Sequence, residues 1–411
     1  MERFEAVVVG AGQAGLSVSH ELRAAGIEHV VLEKGRTGQA WRQRWDSFCL
    51  VSPNWTVRLP GHAYDGPDPD GFMPRDEIVR TLEAYARSFG APVRENVTVA
   101  SVESPSTGGF ILRTTSGDIQ SRALILATGA YQRAHRPPVA DTLPAGLAQI
   151  DVHAFRNERA LPPGQVLVLG SGQSGAQIAE ELREAGREVV LSCGKAPWVP
   201  RRLAGRDIVW WLAEAGFYGQ PAESLPTPAA RLFSNPLVTG HGGGRDLNFR
   251  TLRAIGVTLT GRFLGAQDGV ARFAPDLGAS VAWGDERYRD LMRLIEQRAA
   301  VLGIPVHIDE PVPFNAAAPE SVDLSRFGVA IFATGFRPDY RSWLPWPQAF
   351  DDLGFPLQRD GASTIVPGLH FAGVHFLRTR KSALLLGMDD DAPIIARQVV
   401  LALAGSGPNR A

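Results

Sequence analysis

The stretch Val7-Val8-Val9-Gly10-Ala11-Gly12-Gln13-Ala14-Gly15 restricts this chain more than any other. Three valines run into a G-x-G-x-x-G turn, and a helical apolar pattern follows at once at Leu16, Val18 and Leu22. Each glycine has its own reason. Gly10 makes the tight turn out of a strand, Gly12 lets backbone N–H groups approach a pyrophosphate, and Gly15 lets the helix pack on the strand. A second apolar run, Val30-Val31-Leu32, closes the unit and leads to Glu33, 18 residues past Gly15. That is near where an acid accepts hydrogen bonds from a ribose. Strand, turn, helix, strand and acid in this order predict a dinucleotide site suited to FAD or NAD.

The same pattern returns 160 residues later. Val166-Leu167-Val168-Leu169 leads into Gly170-Ser171-Gly172-Gln173-Ser174-Gly175, then a helix with Ile178, Ala179 and Leu182, then Val189-Val190-Leu191. Here the strand end is read as Ser192, with Lys195, Arg201, Arg202 and Arg206 close behind. A carboxylate would repel a 2′-phosphate, whereas a small polar residue with nearby cations accommodates one. The second site therefore suits NADPH. Two further strands, Ile119 to Leu126 and Gly328 to Phe332, end in the matching turns Ala127-Thr128-Gly129 and Ala333-Thr334-Gly335. Small residues there let the backbone come close to a cofactor. Helical spacing predicts further helices over Arg75 to Ser88, Asp285 to Leu302 and Pro393 to Leu403.

These patterns predict an α/β protein with two dinucleotide-binding, Rossmann-like, three-layer domains. The NADPH domain, 151–327, is inserted into an FAD domain made of 1–150 and 328–411. With 411 residues there is enough chain to bury both cores. The net charge of −1 gives no basic field for nucleic acid or anionic lipid, and no apolar run is long enough to span a membrane. The first strand follows the N-terminus too closely for a signal peptide. Cys49 and Cys193 are the only cysteines and share no local motif, so a reduced, cytoplasmic protein is expected. No Ser-His-Asp triad and no metal cluster is evident. Nothing in the sequence fixes the oligomeric state.

Between the nucleotide units lie segments of less certain role. Gly35 to Trp45 carries Gly38, Gln39, Trp41 and Arg42, which either cover the cofactor's reactive end or simply pack. Cys49 to Trp55 precedes a Pro/Gly-rich loop from Pro60 to Pro74, and Leu143 to Pro163 is a proline-rich connector with His153. Near the C-terminus, Gly373, Gly387 and Asp389 precede a helix whose N-terminus suits a polar headgroup or is merely capped by its acids. Lys34 and Val99 complete the expected cofactor contacts.

The two glycine turns, the two Ala-Thr-Gly strand ends and the segments Gly38-Gln-Ala-Trp41 and Leu50 to Pro53 together resemble the class B flavin-dependent monooxygenases. The likeness is to the flavin-containing and YUCCA-like enzymes, and above all to bacterial CzcO-like flavoproteins. It implies FAD and NADPH as cofactors, and O2 and a small molecule as substrates. One oxygen atom would pass through a flavin C4a-(hydro)peroxide to a nitrogen, sulfur or carbonyl centre. An NADPH-dependent reductase with a quinone or protein acceptor, and a nucleotide-sensing flavoprotein without catalysis, are the alternatives. The family's linker signature, F-x-G-x-x-x-H, survives here only in His153. Where many members place Asn two residues before a proline, this chain has Val51 before Pro53, so Asn54 or Ser52 is the substitute donor near the flavin.

Overall fold

The computed structural model describes residues 1–405 except 107, 234, 315 and 316. Its first sheet has a parallel centre in the order Leu369–Phe371, Ile119–Leu126, Glu2–Val9, His29–Leu32 and Val93–Arg94. The strand Ile119–Leu126 is buried at its last four residues in succession, as a parallel strand covered on both faces must be. An antiparallel pair, Val99–Glu103 and Phe110–Thr114, extends from it, and the hairpin Gln358–Arg359 and Ala362–Ser363 adds to the opposite edge. The helix Gln13–Ala24 buries Leu16, Val18 and Leu22 and packs against the C-terminal helix Met388–Gly405.

The second sheet is wholly parallel, in the order Ala148–Asp151, Phe327–Phe332, Gln165–Leu169, Val189–Ser192 and Thr258–Thr260. An antiparallel trio, Phe263–Gln267, Val270–Phe273 and Ser321–Asp323, packs against it through Phe263, Ala271 and Phe273. Both sheets are the α/β, Rossmann-like architecture expected from the sequence.

The two ends expected for the inserted domain, near 151 and 327, fall on strands of this second sheet. Strand Ala148–Asp151 is its edge, and Phe327–Phe332 stands beside the strand that carries the second glycine turn. The return to the first sheet follows Gly335, where Phe336–Arg337 pairs with Arg133–Ala134.

Two helices begin earlier than their apolar spacing predicts. The long one spans Leu277–Leu302, eight residues before Asp285, because Gly278 and Gly284 interrupt the apolar pattern. Gly284 has a packing reason: a Cβ there would stand 2.8 Å from the Ala196 carbonyl oxygen. The C-terminal helix starts at Met388 and runs through Pro393. Proline this close to a helix start removes little, and Asp389, Asp390 and Asp391 favour the positive end of the first turn.

Candidate active site

The two glycine turns are built alike. Gly10 has φ 108° and Gly170 has φ 100°, and a Cβ on either would strike the carbonyl oxygen of Ala127 or Ala333. A Cβ on Gly15 or Gly175 would stand 1.9 Å from the carbonyl oxygen of Gly10 or Gly170. These four positions hold glycine because backbone fills the space. Gly12 differs: a Cβ there would meet nothing within 4 Å. At Gly12 the main chain faces open space, the condition for a phosphate to approach. Gly12 and Gly172 are the N-caps of Gln13–Ala24 and Gln173–Glu184, with no side-chain cap and no acid in the first turn. Both helices thus present free N–H groups and a positive end.

The first residue of each helix clamps an incoming loop. Gln13 accepts from Trp41 Nε1 at 2.9 Å and donates to the Ala383 carbonyl at 3.4 Å. Gln173 holds Val238 through that residue's N–H and carbonyl. A Cβ on Gly373 would stand 2.6 Å from Ala14 Cβ, so the C-terminal segment also crosses the first helix start. Residues about 360 apart in sequence thus share one site. Gly387 lies against the Lys381 carbonyl. Asp389 Oδ1 is buried without a partner, and burial, then the charge of Asp390, pushes its carboxyl upward.

Glu33 is buried and accepts from Ala11 N at 2.8 Å and Gly35 N at 2.9 Å. Each oxygen keeps a lone pair for a ribose hydroxyl. Asn96 and Val97 donate to the Gly35 and Glu33 carbonyls, and Val99 follows two residues later in a strand paired with Thr114. Lys34 is exposed beside them. Gln39 accepts from Arg36 N at 3.2 Å, and Arg42 pairs with Glu83. These two side chains hold the Gly35–Trp45 loop in place.

The second turn corrects the sequence reading by one residue. Val9 pairs with Leu32, and Leu169 pairs with Ser192; Gly10 N donates to the Leu32 carbonyl as Gly170 N does to that of Ser192. Ser192 is therefore the counterpart of Leu32, and Cys193 is the counterpart of Glu33. The Ser192 hydroxyl donates to the Gly261 carbonyl and accepts from Phe263 N, so it holds the next loop. Cys193 is buried, and burial pushes its thiol up. The place of the acid is still free of a carboxylate.

Arg201 also departs from its expected role at a 2′-phosphate. It is 2 % exposed, and its guanidinium binds Asp207 and donates to the carbonyls of Val51 at 2.8 Å and Thr239 at 3.5 Å. Its donors are spent on joining the second domain to the first. Arg202 and Lys195 are exposed, with Lys195 Nζ 6.0 Å from the Trp283 ring centre.

Both substitute donors have local partners. Asn54 is buried, donates to the Asp68 carbonyl at 2.9 Å and accepts from Met73 N at 2.6 Å, which fastens the Pro60–Pro74 loop. Thr56 donates its hydroxyl proton to the Pro53 carbonyl, so the contact between Ser52 and Thr56 uses the Ser52 proton. His153 packs edge-on against Phe336 at 4.6 Å. Burial, then the charge of Arg44, holds its imidazole below the ordinary histidine range.

The two Ala-Thr-Gly turns, each at the end of a strand of a different sheet, meet. Thr334 donates to the His135 carbonyl, His135 N donates to the Gly335 carbonyl at 2.9 Å, and Gln132 binds Thr128 and Gly129 while accepting from Asp339 N. Sequence reasoning missed this bridge, and also the ties of the segment 43–51 to residues beyond 150, by Arg156 to Gln43, Ser47 to Glu181 and Arg201 to Val51. Long-range pairs of this kind leave no local pattern.

A family model described as pyridine nucleotide-disulphide oxidoreductase matches residues 7–211. An uncharacterized CzcO-like oxidoreductase of Geobacillus kaustophilus is 31% identical over 400 residues, covering 96% of this chain and 98% of that protein. The indole-3-pyruvate monooxygenase YUCCA4 of Oryza sativa subsp. japonica is 28% identical over 276 residues, 57% of this chain and 62% of its own length. Among solved structures, a flavin-containing monooxygenase from Stenotrophomonas maltophilia superposes with a TM-score of 0.67 at 20% identity, over 98% of this chain and 99% of its own. The chain belongs to the CzcO-like oxidoreductases of the class B flavin monooxygenase family, enzymes whose cofactors are FAD and NADPH.

Proposed function

We propose that this protein is an FAD-dependent, NADPH-consuming monooxygenase that passes one oxygen atom of O2 to a nitrogen, sulfur or carbonyl carbon of a small molecule. One observation carries the reading: two uncapped helix starts behind glycine turns, in domains whose Ala-Thr-Gly strand ends are tied together. The first site fits FAD, because the backbone is open at Gly12 and closed at Gly10 and Gly15. In this reading FAD occupies the domain built on the first sheet and NADPH the domain built on the second, whose strands include Ala148–Asp151 and Phe327–Phe332. When bound, the flavin supplies the redox chemistry, taking a hydride from NADPH and giving electrons to O2. The protein binds, orients and excludes water. N–H groups at Gly12 to Ala14 receive the pyrophosphate and Glu33 the ribose. Cys193, lacking a charge, leaves room for a 2′-phosphate near Lys195 and Arg202. Trp41, held by Gln13, limits solvent at the same helix start. A cytoplasmic location accords with the reduced cysteines, both free and buried, and no helix among the described residues is long and apolar enough to cross a membrane.

The commitment of Asn54 and Ser52 to local bonds favours a second reading, an NADPH-dependent reductase that passes electrons to a quinone or protein. With the Ser52 hydroxyl proton and one Asn54 amide proton engaged locally, oxygen transfer should be poorly coupled, and hydrogen peroxide should accumulate without the native substrate. Oxygen uptake with NADPH, followed with peroxide release across amines, sulfides and ketones, tests the proposal. An oxygenated product from any of them supports it. Fast turnover with a quinone, and no oxygenated product, supports the reductase.

A further inference from the structure

Arg44 stands between the rings of Phe48 and Tyr131 as a cation with no anion to meet it. The side chain is half-buried, and burial holds its guanidinium below the ordinary arginine range. Its guanidinium carbon lies 5.1 Å from the ring centre of Tyr131 and 5.5 Å from that of Phe48. Among the described residues it makes no side-chain hydrogen bond and no ion pair. The nearby carboxylates are engaged elsewhere: Asp46 with Arg75 and Asn157, and Asp151 with Arg136. Arg42 and Arg201 each hold a carboxylate. On an open surface a lone arginine needs no explanation, because water satisfies its five donors. Partly desolvated and fixed between two rings, it presents a planar fork suited to a carboxylate or a phosphate.

The surroundings place this fork beside the two Ala-Thr-Gly turns. Tyr131, just past the first Ala-Thr-Gly turn, stands edge-on to Phe336, just past the second, at 5.2 Å, and to His375 at 5.2 Å. His153 stands against Phe336 and feels the charge of Arg44. Burial lowers the titration of both histidines nearby, His153 and His375.

We propose that Arg44 anchors an oxyanion, carboxylate or phosphate, of a ligand entering between the two Ala-Thr-Gly turns. The proposal rests on reading the junction of the two turns as the place where cofactor and substrate meet, but its test reads binding and needs no oxygen transfer. The oxidised FAD-loaded enzyme is titrated by calorimetry with benzoate, with its neutral counterpart benzamide, and with NADP⁺. Wild type and R44Q are compared after checking flavin content. If the anion belongs to the substrate, wild type prefers benzoate to benzamide, and R44Q removes the preference with a loss on the order of 10- to 100-fold for benzoate only. If it belongs to the cofactor, the same loss falls on NADP⁺ and the two aromatic probes are unaffected. R44M, which keeps the length between the two rings, replaces R44Q if that variant loses flavin. Affinities for benzoate and NADP⁺ within twofold of wild type would overturn the proposal. Because no turnover is read, that failure is distinct from failure of the monooxygenase reading, which shows as missing product.

Discussion

At the residue after the second strand, the two nucleotide turns carry opposite chemistry. Glu33 brings a carboxylate to the first, whereas Cys193 brings a buried thiol to the second. Cys193→Glu should therefore lower the preference for NADPH over NADH at least about tenfold, since a carboxylate would face the 2′-phosphate. The ratio of kcat/KM for the two cofactors measures this. Gly12→Val should yield protein with little flavin, because its side chain would fill the open space at the helix start; full flavin content in purified Gly12→Val would contradict the FAD assignment. Arg201→Ala should act on stability instead of cofactor choice. It leaves Asp207 buried without its cation, a loss of about 3–5 kcal/mol. Urea unfolding reads that loss, and an unchanged cofactor ratio in any surviving fraction separates this role from phosphate binding.

Among the elements, the loop between Cys49 and Pro74 depends on one side chain. Asn54 bonds the backbone at Asp68 and Met73, while its own N–H donates to the Gly71 carbonyl. Asn54→Ala should cost about 1–3 kcal/mol by leaving Met73 N unsatisfied, with flavin content kept. Thermal melting and the flavin spectrum of the variant check both halves. A fall in oxygenated product beyond this stability loss would restore Asn54 as a donor to the reaction. The regular elements were legible where apolar spacing was uninterrupted: Arg75–Ser88 and Ile119–Leu126 lie where the pattern puts them. Spacing failed at Gly278 and Pro393, where packing and first-turn geometry outweigh propensity.

Across the whole molecule, buried histidines make stability depend on pH. His370 is 1 % exposed, both ring nitrogens lack partners, and burial pushes it down to about 4. An unfolded histidine titrates near 6.5, so between these values the unfolded state binds more protons. Stability is full above pH 6.5 and is lost as pH falls toward 4. His375 acts in the same direction. His370→Leu should remove about 2 kcal/mol of the loss between pH 7 and pH 5, measured by urea unfolding at both values. The sequence by itself determined the two dinucleotide turns, their strands and helices, and the family, because those features are local: glycines at fixed offsets and apolar runs of fixed period. Only the tertiary structure decided that Cys193 and not Ser192 answers Glu33, since strand register sets which residue leaves the sheet first. It also decided that Arg201, Asn54 and Ser52 serve the scaffold and that Arg44 is left unpaired. A side chain's role depends on which donors and acceptors the fold brings within about 3 Å, and some of those partners, such as Val51 for Arg201, come from segments far away in the chain.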